Sequence, residues 1–121
     1  KRNGANYEPT ILADVAAGMP AYAEELFGPV ASVITANDAE HAIAIANSHR
    51  YGLGATIFSK DTEKAYHCAR QINSGAVFVN AMVKSDVRLP FGGTKKSGYG
   101  RELSDYGLKE FTNVKTIYIN E

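Results

Sequence analysis

Three apolar runs, Val30-Ala31-Ser32-Val33-Ile34, Ala55-Thr56-Ile57-Phe58 and Ala76-Val77-Phe78-Val79, decide the fold of this chain. Each run is short and rich in β-branched and aromatic residues, which is typical of buried strands. Helical patterns of about a dozen residues separate the runs. Strands that alternate with helices predict an α/β fold with largely parallel pairing and right-handed crossovers, and ligands then bind near the carboxyl ends of the strands.

Two helices are predicted between these strands. Asn37 or Asp38 can cap the first helix, whose apolar stripe follows a spacing of three and four residues: Ala39, Ala42, Ile43 and Ala46. Asp61 lies near the start of the second helix, and Gly75 is expected to stop it. The apolar stripe of this second helix consists of Ala65, Cys68, Ala69 and Ile72.

The composition is that of an ordinary globular domain. Of the 121 residues, 45% are hydrophobic and 21% are charged, so one domain with an apolar core is possible. The 13 basic residues balance the 13 acidic ones, which removes any whole-chain electrostatic argument for nucleic acid or an anionic membrane as a partner. No apolar run approaches the length of a membrane span.

Cysteine and histidine usage predicts neither a disulfide nor a metal site. Cys68 is the single cysteine, and no Cys/His cluster has the spacing of zinc ligands. A reducing compartment is therefore expected, and we predict a cytoplasmic location. Cys68 falls in the middle of a predicted helix on its apolar stripe, which favours packing over a nucleophilic role.

A sharp bend is predicted at Glu24-Glu25-Leu26-Phe27-Gly28-Pro29, directly before the first strand. Pro29 fixes its own φ and disfavours helix at Gly28, so the chain must turn there. If the segment is extended, Glu25 and Phe27 point the same way and place a hydrogen-bond acceptor beside a flat apolar face. Such a pair suits a sugar next to an aromatic ring. The alternative is an acidic helix end and a phenylalanine in the core.

The segment after the third strand, residues 80–101, is the predicted ligand site because it leaves the carboxyl end of that strand. It is cationic within a neutral chain, because it holds one acidic residue, Asp86, against five basic ones: Lys84, Arg88, Lys95, Lys96 and Arg101. Arg88 has the planar fork that best matches a carboxylate, although a surface arginine is the commoner case.

A glycine-rich stretch, Phe91-Gly92-Gly93-Thr94-Lys95-Lys96-Ser97-Gly98-Tyr99-Gly100, follows Arg88. It is not a phosphate loop, because the chain has no Gly-Lys-Ser/Thr, and it lacks the third glycine and the preceding strand of a dinucleotide fingerprint. It can bring backbone close to a ligand while Phe91 forms a wall.

The end of the chain predicts a short helix over residues 105–111 and a final strand over residues 114–119. The strand carries apolar groups on both faces. A terminal strand of this kind closes its own sheet or adds to a neighbour's, and we favour pairing with another subunit. We therefore predict that residues 112–121 form an oligomerisation strand, separate from residues 1–111.

Several stretches together resemble the NAD(P)-dependent aldehyde dehydrogenase family. They are Glu24 to Val30, Tyr51-Gly52-Leu53, Ser74-Gly75, Val79-Asn80, Pro90-Phe91-Gly92-Gly93-Thr94-Lys95-Lys96-Ser97-Gly98 and Gly100-Arg101-Glu102. The resemblance runs over residues 7–119 with the motifs in the family's order. It covers only the C-terminal part of the family's catalytic domain.

The resemblance implies roles for residues in the bend, in the segment after the third strand and in the last strand. The glutamate that matches Glu25 hydrogen-bonds the nicotinamide ribose of NAD or NADP, and the phenylalanine that matches Phe27 lies against the nicotinamide. Phe91 and the residues around Ser85 would line the aldehyde pocket, and the last strand would join an intersubunit sheet of a homo-oligomer. The Rossmann domain, the catalytic cysteine and the general-base glutamate of such an enzyme lie outside the stretch that the resemblance covers, so this chain alone is not expected to be active.

Within the family, residues 82–88 look most like the loop of bacterial enzymes that oxidise succinate semialdehyde. That substrate carries a second carboxylate, which Ser85 and Arg88 could bind. The alternative from another class is a small stand-alone α/β module that binds a ligand or partner without catalysis. The start at Lys1-Arg2-Asn3-Gly4, without Met, favours an origin within a longer chain.

Overall fold

The computed structural model describes residues 2–121 and contains two compact units. The first unit ends at His49, and the second is formed by Arg50–Glu121. Each unit forms its own strand pairs and helices.

The first unit is built on a parallel strand pair. β3 (Thr10–Leu12) pairs with β4 (Val30–Ser32), with Thr10 opposite Val30. The connection between them contains the four-residue helix α1 (Pro20–Ala23). The unit begins with an antiparallel pair, β1 (Arg2–Asn3) and β2 (Asn6–Tyr7), and ends with helix α2 (Ala39–Ser48).

The second unit contains a β-α-β arrangement and a small antiparallel pair. β6 (Gly54–Ile57) pairs in parallel with β7 (Ala76–Val79), and helix α3 (Thr62–Ala69) lies between them in sequence and contacts β7. β5 (Tyr51–Gly52) pairs antiparallel with β8 (Thr94–Lys95). Helix α4 (Ser104–Glu110) follows.

The predicted helix starts are confirmed. Asp38 is the N-cap of α2, and its Oδ1 accepts a hydrogen bond from the His41 N–H at 2.7 Å. Asp61 caps α3, and its Oδ1 accepts from the Lys64 N–H at 2.9 Å. Both carboxylates satisfy N–H groups that the first turn of a helix leaves unpaired. The α/β class with parallel pairing is also confirmed.

The three apolar runs lie in two parallel pairs, because β4 pairs with β3 and β6 pairs with β7. One hydrogen bond extends the β3–β4 pair at each end. The Thr10 N–H donates to Pro29 O at 2.9 Å, and the Val33 N–H donates to Leu12 O at 2.8 Å. Gly75 does not stop α3, which ends at Ala69 with Arg70 as its C-cap.

Gly75 instead allows two backbone segments to meet. A Cβ atom at this position would overlap the carbonyl group of Gly92. The Gly75 N–H also donates to Gly52 O at 2.9 Å, immediately before β7 begins. Because Gly75 has no side chain, the start of the glycine-rich stretch can lie against the start of β7.

Little of the apolar surface is covered. Among residues 2–121, Val15 and Ala65 are the buried hydrophobic residues, whereas many large apolar side chains are exposed. No helix in the described part of the chain is long and apolar enough to cross a membrane. The two units thus form their local structure without enclosing a large core.

The C-terminal segment has no regular structure within the described chain. Residues 113–121 form neither helix nor strand, and Ile117, Tyr118 and Ile119 are exposed. A strand needs a partner for its N–H and C=O groups. Pairing of this segment with another subunit stays a prediction.

The contact between Gly75 and Gly92 leads to a stability prediction. Gly75→Ala should lower the free energy of unfolding of the protein by about 3 kcal/mol or more, because the overlap is with backbone and cannot be relieved by rotating a side chain. Urea unfolding measures this. Gly28→Ala is the matched control, since an added methyl group there meets nothing within 4 Å. Equal stability of the two variants would show that the two backbones are not in contact.

Candidate functional site

The predicted bend at Gly28 is present in the first unit. The Gly28 N–H donates to Leu26 O at 2.8 Å, and the Val30 N–H donates to Gly28 O at 2.8 Å. Each bond closes a three-residue γ-turn, so two tight turns follow each other. β4 begins at once at Val30 and anchors the far side of the bend to β3.

The side chains before the bend are exposed. Glu24 is the C-cap of α1, so the acidic pair does follow a helix end. Glu25 is exposed, and Phe27 is 93% exposed. Within the described residues, Phe27 is therefore not the core phenylalanine of the alternative interpretation. A rigid turn presents a carboxylate and an aromatic ring, two residues apart, on the surface of the first unit.

In the second unit, Asn80 joins the carboxyl ends of β6 and β7. Its side-chain Oδ1 accepts from the Ser59 N–H at 2.9 Å, and its Nδ2 donates to Ser59 O at 2.8 Å. Its own N–H donates to Ile57 O at 2.8 Å. Asn80 adopts the left-handed conformation (φ 54°), which asparagine tolerates better than most residues. The chain is thus redirected at a fixed point as it leaves β7.

The glycine loop, residues 91–102, is closed at both ends. The N–H groups of Phe91 and Glu102 each donate to the other residue's carbonyl at 2.8 Å. Arg101 Nη1 donates to Gly93 O at 2.9 Å and to Gly100 O at 2.7 Å. Ser97 Oγ accepts from the Gly52 N–H at 2.9 Å. These bonds hold the loop, and with it Phe91, against β5.

A cavity of ≈ 290 Å³ lies beside β7 and the segment that follows it. Its apolar walls are Ala76, Val77, Phe78, Leu89, Pro90 and Phe91, and its charged lining residues are Lys84 and Asp86. Small-molecule sites are commonly mostly apolar with a few polar groups. The predicted site segment therefore does form a cavity, with Phe91 in its wall.

Arg88 forms a bidentate ion pair with Asp86. Nε donates to Oδ1 at 2.9 Å, and Nη2 donates to Oδ2 at 2.7 Å. The Arg88 backbone N–H donates to Oδ1 as well, at 3.0 Å. These bonds from Arg88 lower the pKa of Asp86 to about 2 and raise the pKa of Arg88. Asp86 is the less exposed partner, with 25% of its side chain accessible against 83% for Arg88.

The structure separates the residues that the sequence grouped together. Phe91 lines the cavity, whereas Ser85 and Arg88 are exposed and are not among its lining residues. Lys84 and Asp86 do line it. Their place in the cavity wall cannot be read from the sequence, because the path of the loop decides which side chains line the cavity. Glu25 and Phe27 belong to the first unit and are described there.

These features define an α/β protein with a candidate ligand site beside β7, one strand of a parallel pair. The chain belongs to the aldehyde dehydrogenase family, which matches residues 1–117. This confirms the family that the sequence motifs indicated.

Curated relatives match nearly the whole chain. It is 50% identical over 115 residues to the succinate semialdehyde dehydrogenase [NAD(P)+] Sad of Escherichia coli, a match that covers 95% of this chain and 25% of that protein. It is 49% identical over 116 residues to a probable NADP(+) succinate-semialdehyde dehydrogenase of Synechocystis, covering 96% and 26%. The chain thus spans about a quarter of the length of the curated relatives it matches.

Solved structures of aldehyde dehydrogenases also match nearly the whole chain. A succinic semialdehyde dehydrogenase from Streptococcus pyogenes, in complex with NADP+, is 45% identical with a TM-score of 0.91, and the match covers 98% of this chain and 26% of that one. An indole-3-acetaldehyde dehydrogenase from P. syringae, in complex with NAD+, is 42% identical with a TM-score of 0.87, covering 94% and 23%.

Titration of Asp86 tests its ion pair with Arg88. The folded-state pKa of Asp86 lies at about 2, below the ordinary value of about 4. The pair therefore stabilises the loop above about pH 4, and this contribution is lost as the pH falls through about 2. In Arg88→Ala the Asp86 pKa should rise towards its ordinary value. Carboxyl ¹³C NMR measures it, and an unchanged titration would contradict the pairing.

Proposed function

We propose that this chain is the C-terminal part of an NAD(P)+-dependent enzyme that oxidises an aldehyde, succinate semialdehyde, to the carboxylic acid. The observation that carries the proposal is family membership over residues 1–117 with relatives of that name at 49–50% identity. The complete enzyme would join this chain to the regions that its relatives carry outside the matched quarter.

The first unit would serve the cofactor. Glu25 would accept hydrogen bonds from the nicotinamide ribose, and Phe27 would lie against the nicotinamide. Exposure of both side chains beside a bend fixed by two γ-turns supports this role. A nicotinamide held in one orientation accepts the hydride more readily, because positioning lowers the entropic part of the barrier.

The second unit would serve the aldehyde. Phe91 would form the wall of the pocket, and Ser85 and Arg88 would bind the remote carboxylate of the substrate. Asp86 occupies the Nε and Nη2 donors of Arg88, and a guanidinium has five N–H donors. The remaining N–H groups of the Arg88 guanidinium can thus donate to a second carboxylate, while Asp86 fixes the orientation of the guanidinium.

The nucleophile of the reaction would come from outside this chain. Cys68 is a free thiol on α3, is half-buried, and follows Ala65, the buried residue of that helix. The contribution of this chain is accordingly to bind and orient rather than to attack.

We further propose that residues 112–121 add a strand to a second subunit and that the complete enzyme is a cytoplasmic homo-oligomer. The exposed apolar side chains of Val114, Ile117 and Ile119 support this assembly. Covering them would remove apolar surface from water and would satisfy the backbone groups of the segment.

The carboxylate role is tested by Arg88→Ala in the complete enzyme. The KM for succinate semialdehyde should rise about ten-fold or more, the scale of a charge-assisted hydrogen bond. The KM for an uncharged aldehyde of similar length should change little. Steady-state kinetics on both substrates measures the ratio. Arg70→Ala is the matched control, because Arg70 lies over the ring of Tyr66, away from this cavity. Equal losses on both aldehydes would rule the role out.

A further inference from the structure

The charges at the edge of the cavity are not evenly compensated. Asp86 lines the cavity, and Arg88 compensates its charge in a close bidentate pair. Opposite charges at such a short distance largely cancel beyond a few ångströms. Arg88 is also not among the residues that line the cavity.

Lys84 is the second cation of this loop, and it does line the cavity. Among residues 2–121, Lys84 takes part in no salt bridge, although its charge acts on Asp86 over a longer distance. Lys84, Asp86 and Arg88 together carry one net positive charge. Because Asp86 and Arg88 compensate each other, the net charge is that of the Lys84 ammonium. Phe91 lines the same cavity, so the uncompensated charge and the aromatic wall border one space.

We propose that Lys84 is a further specificity-determining residue, whose ammonium attracts the carboxylate at the far end of an anionic aldehyde. The inference rests on the proposed function and deepens it. Arg88 contributes a directed fork on the rim, and Lys84 contributes the net charge on the wall. A lysine suits this position because its flexible stem lets a compact charge follow the carboxylate as the chain length of the substrate varies.

The experiment compares charge-removing and charge-keeping variants in the complete enzyme. Lys84→Met keeps the apolar stem and removes the charge, whereas Lys84→Arg keeps the charge. Lys109→Met is the matched control, since Lys109 pairs with Asp105 on the exposed side of α4. For each variant, kcat and KM are measured with succinate semialdehyde and with an uncharged aldehyde of similar length, at low and at high ionic strength.

The KM for succinate semialdehyde divided by the KM for the uncharged aldehyde is the ratio of interest. Lys84→Met should raise this ratio about three- to ten-fold at low salt, with kcat changed much less. Lys84→Arg and Lys109→Met should leave the ratio within about two-fold of the wild type. In the wild type, added salt should raise the KM for the anionic aldehyde alone, since salt screens exposed charges. That salt series needs no variant, so it remains informative if Lys84→Met fails to fold.

The outcomes separate this inference from the proposed function. If the wild type oxidises both aldehydes but Lys84→Met keeps the wild-type ratio, Lys84 is not a determinant and the proposed function stands. If Lys84→Met does not fold, a wild-type KM for the anionic aldehyde that does not depend on salt overturns the inference. If the wild type oxidises neither aldehyde, the proposed function fails and the inference fails with it.

Discussion

The close approach of Gly75 and Gly92 is the constraint on which the second unit depends. A side chain at Gly75 would occupy the space of the Gly92 carbonyl, so the contact requires glycine rather than merely tolerating it. It joins the start of β7 to the start of the glycine loop. The loop is then closed by the Phe91 and Glu102 backbone pair and by Arg101. Phe91 reaches the cavity wall as a consequence of these backbone contacts.

In the first unit, two backbone turns and a strand pair, rather than a glycine contact, hold the chain in place beside the exposed side chains. A proline that lacks an N–H follows Gly28, and two γ-turns close around that glycine. Parallel pairing of β3 with β4 holds the outgoing strand. The side chains on the incoming side, Glu25 and Phe27, are left exposed. A contiguous exposed apolar patch commonly marks a surface that binds something else.

Local features were predictable from the sequence, and long-range ones were not. The sequence places Asn37 or Asp38 and Asp61 at the starts of helices because a cap acts on N–H groups within three residues. The role of Gly75 was missed because its partner, Gly92, is remote in sequence. Arg88 was assigned to the pocket from its chemistry alone, and the sequence could not show that Asp86 already holds two of its donors. Family motifs supplied roles for Glu25 and Phe27 that residue chemistry left open.

The sparse core has a physical explanation in the length of the chain. Residues 2–121 bury few apolar side chains, and the chain spans about a quarter of its relatives. The rest of such an enzyme would cover the exposed faces. The most direct test is a crystal structure of the complete enzyme with NAD(P)+ bound. We expect the Glu25 carboxylate within hydrogen-bond distance of the nicotinamide ribose and the Phe27 ring beside the nicotinamide. A cofactor whose ribose and nicotinamide lie remote from both side chains would contradict the account.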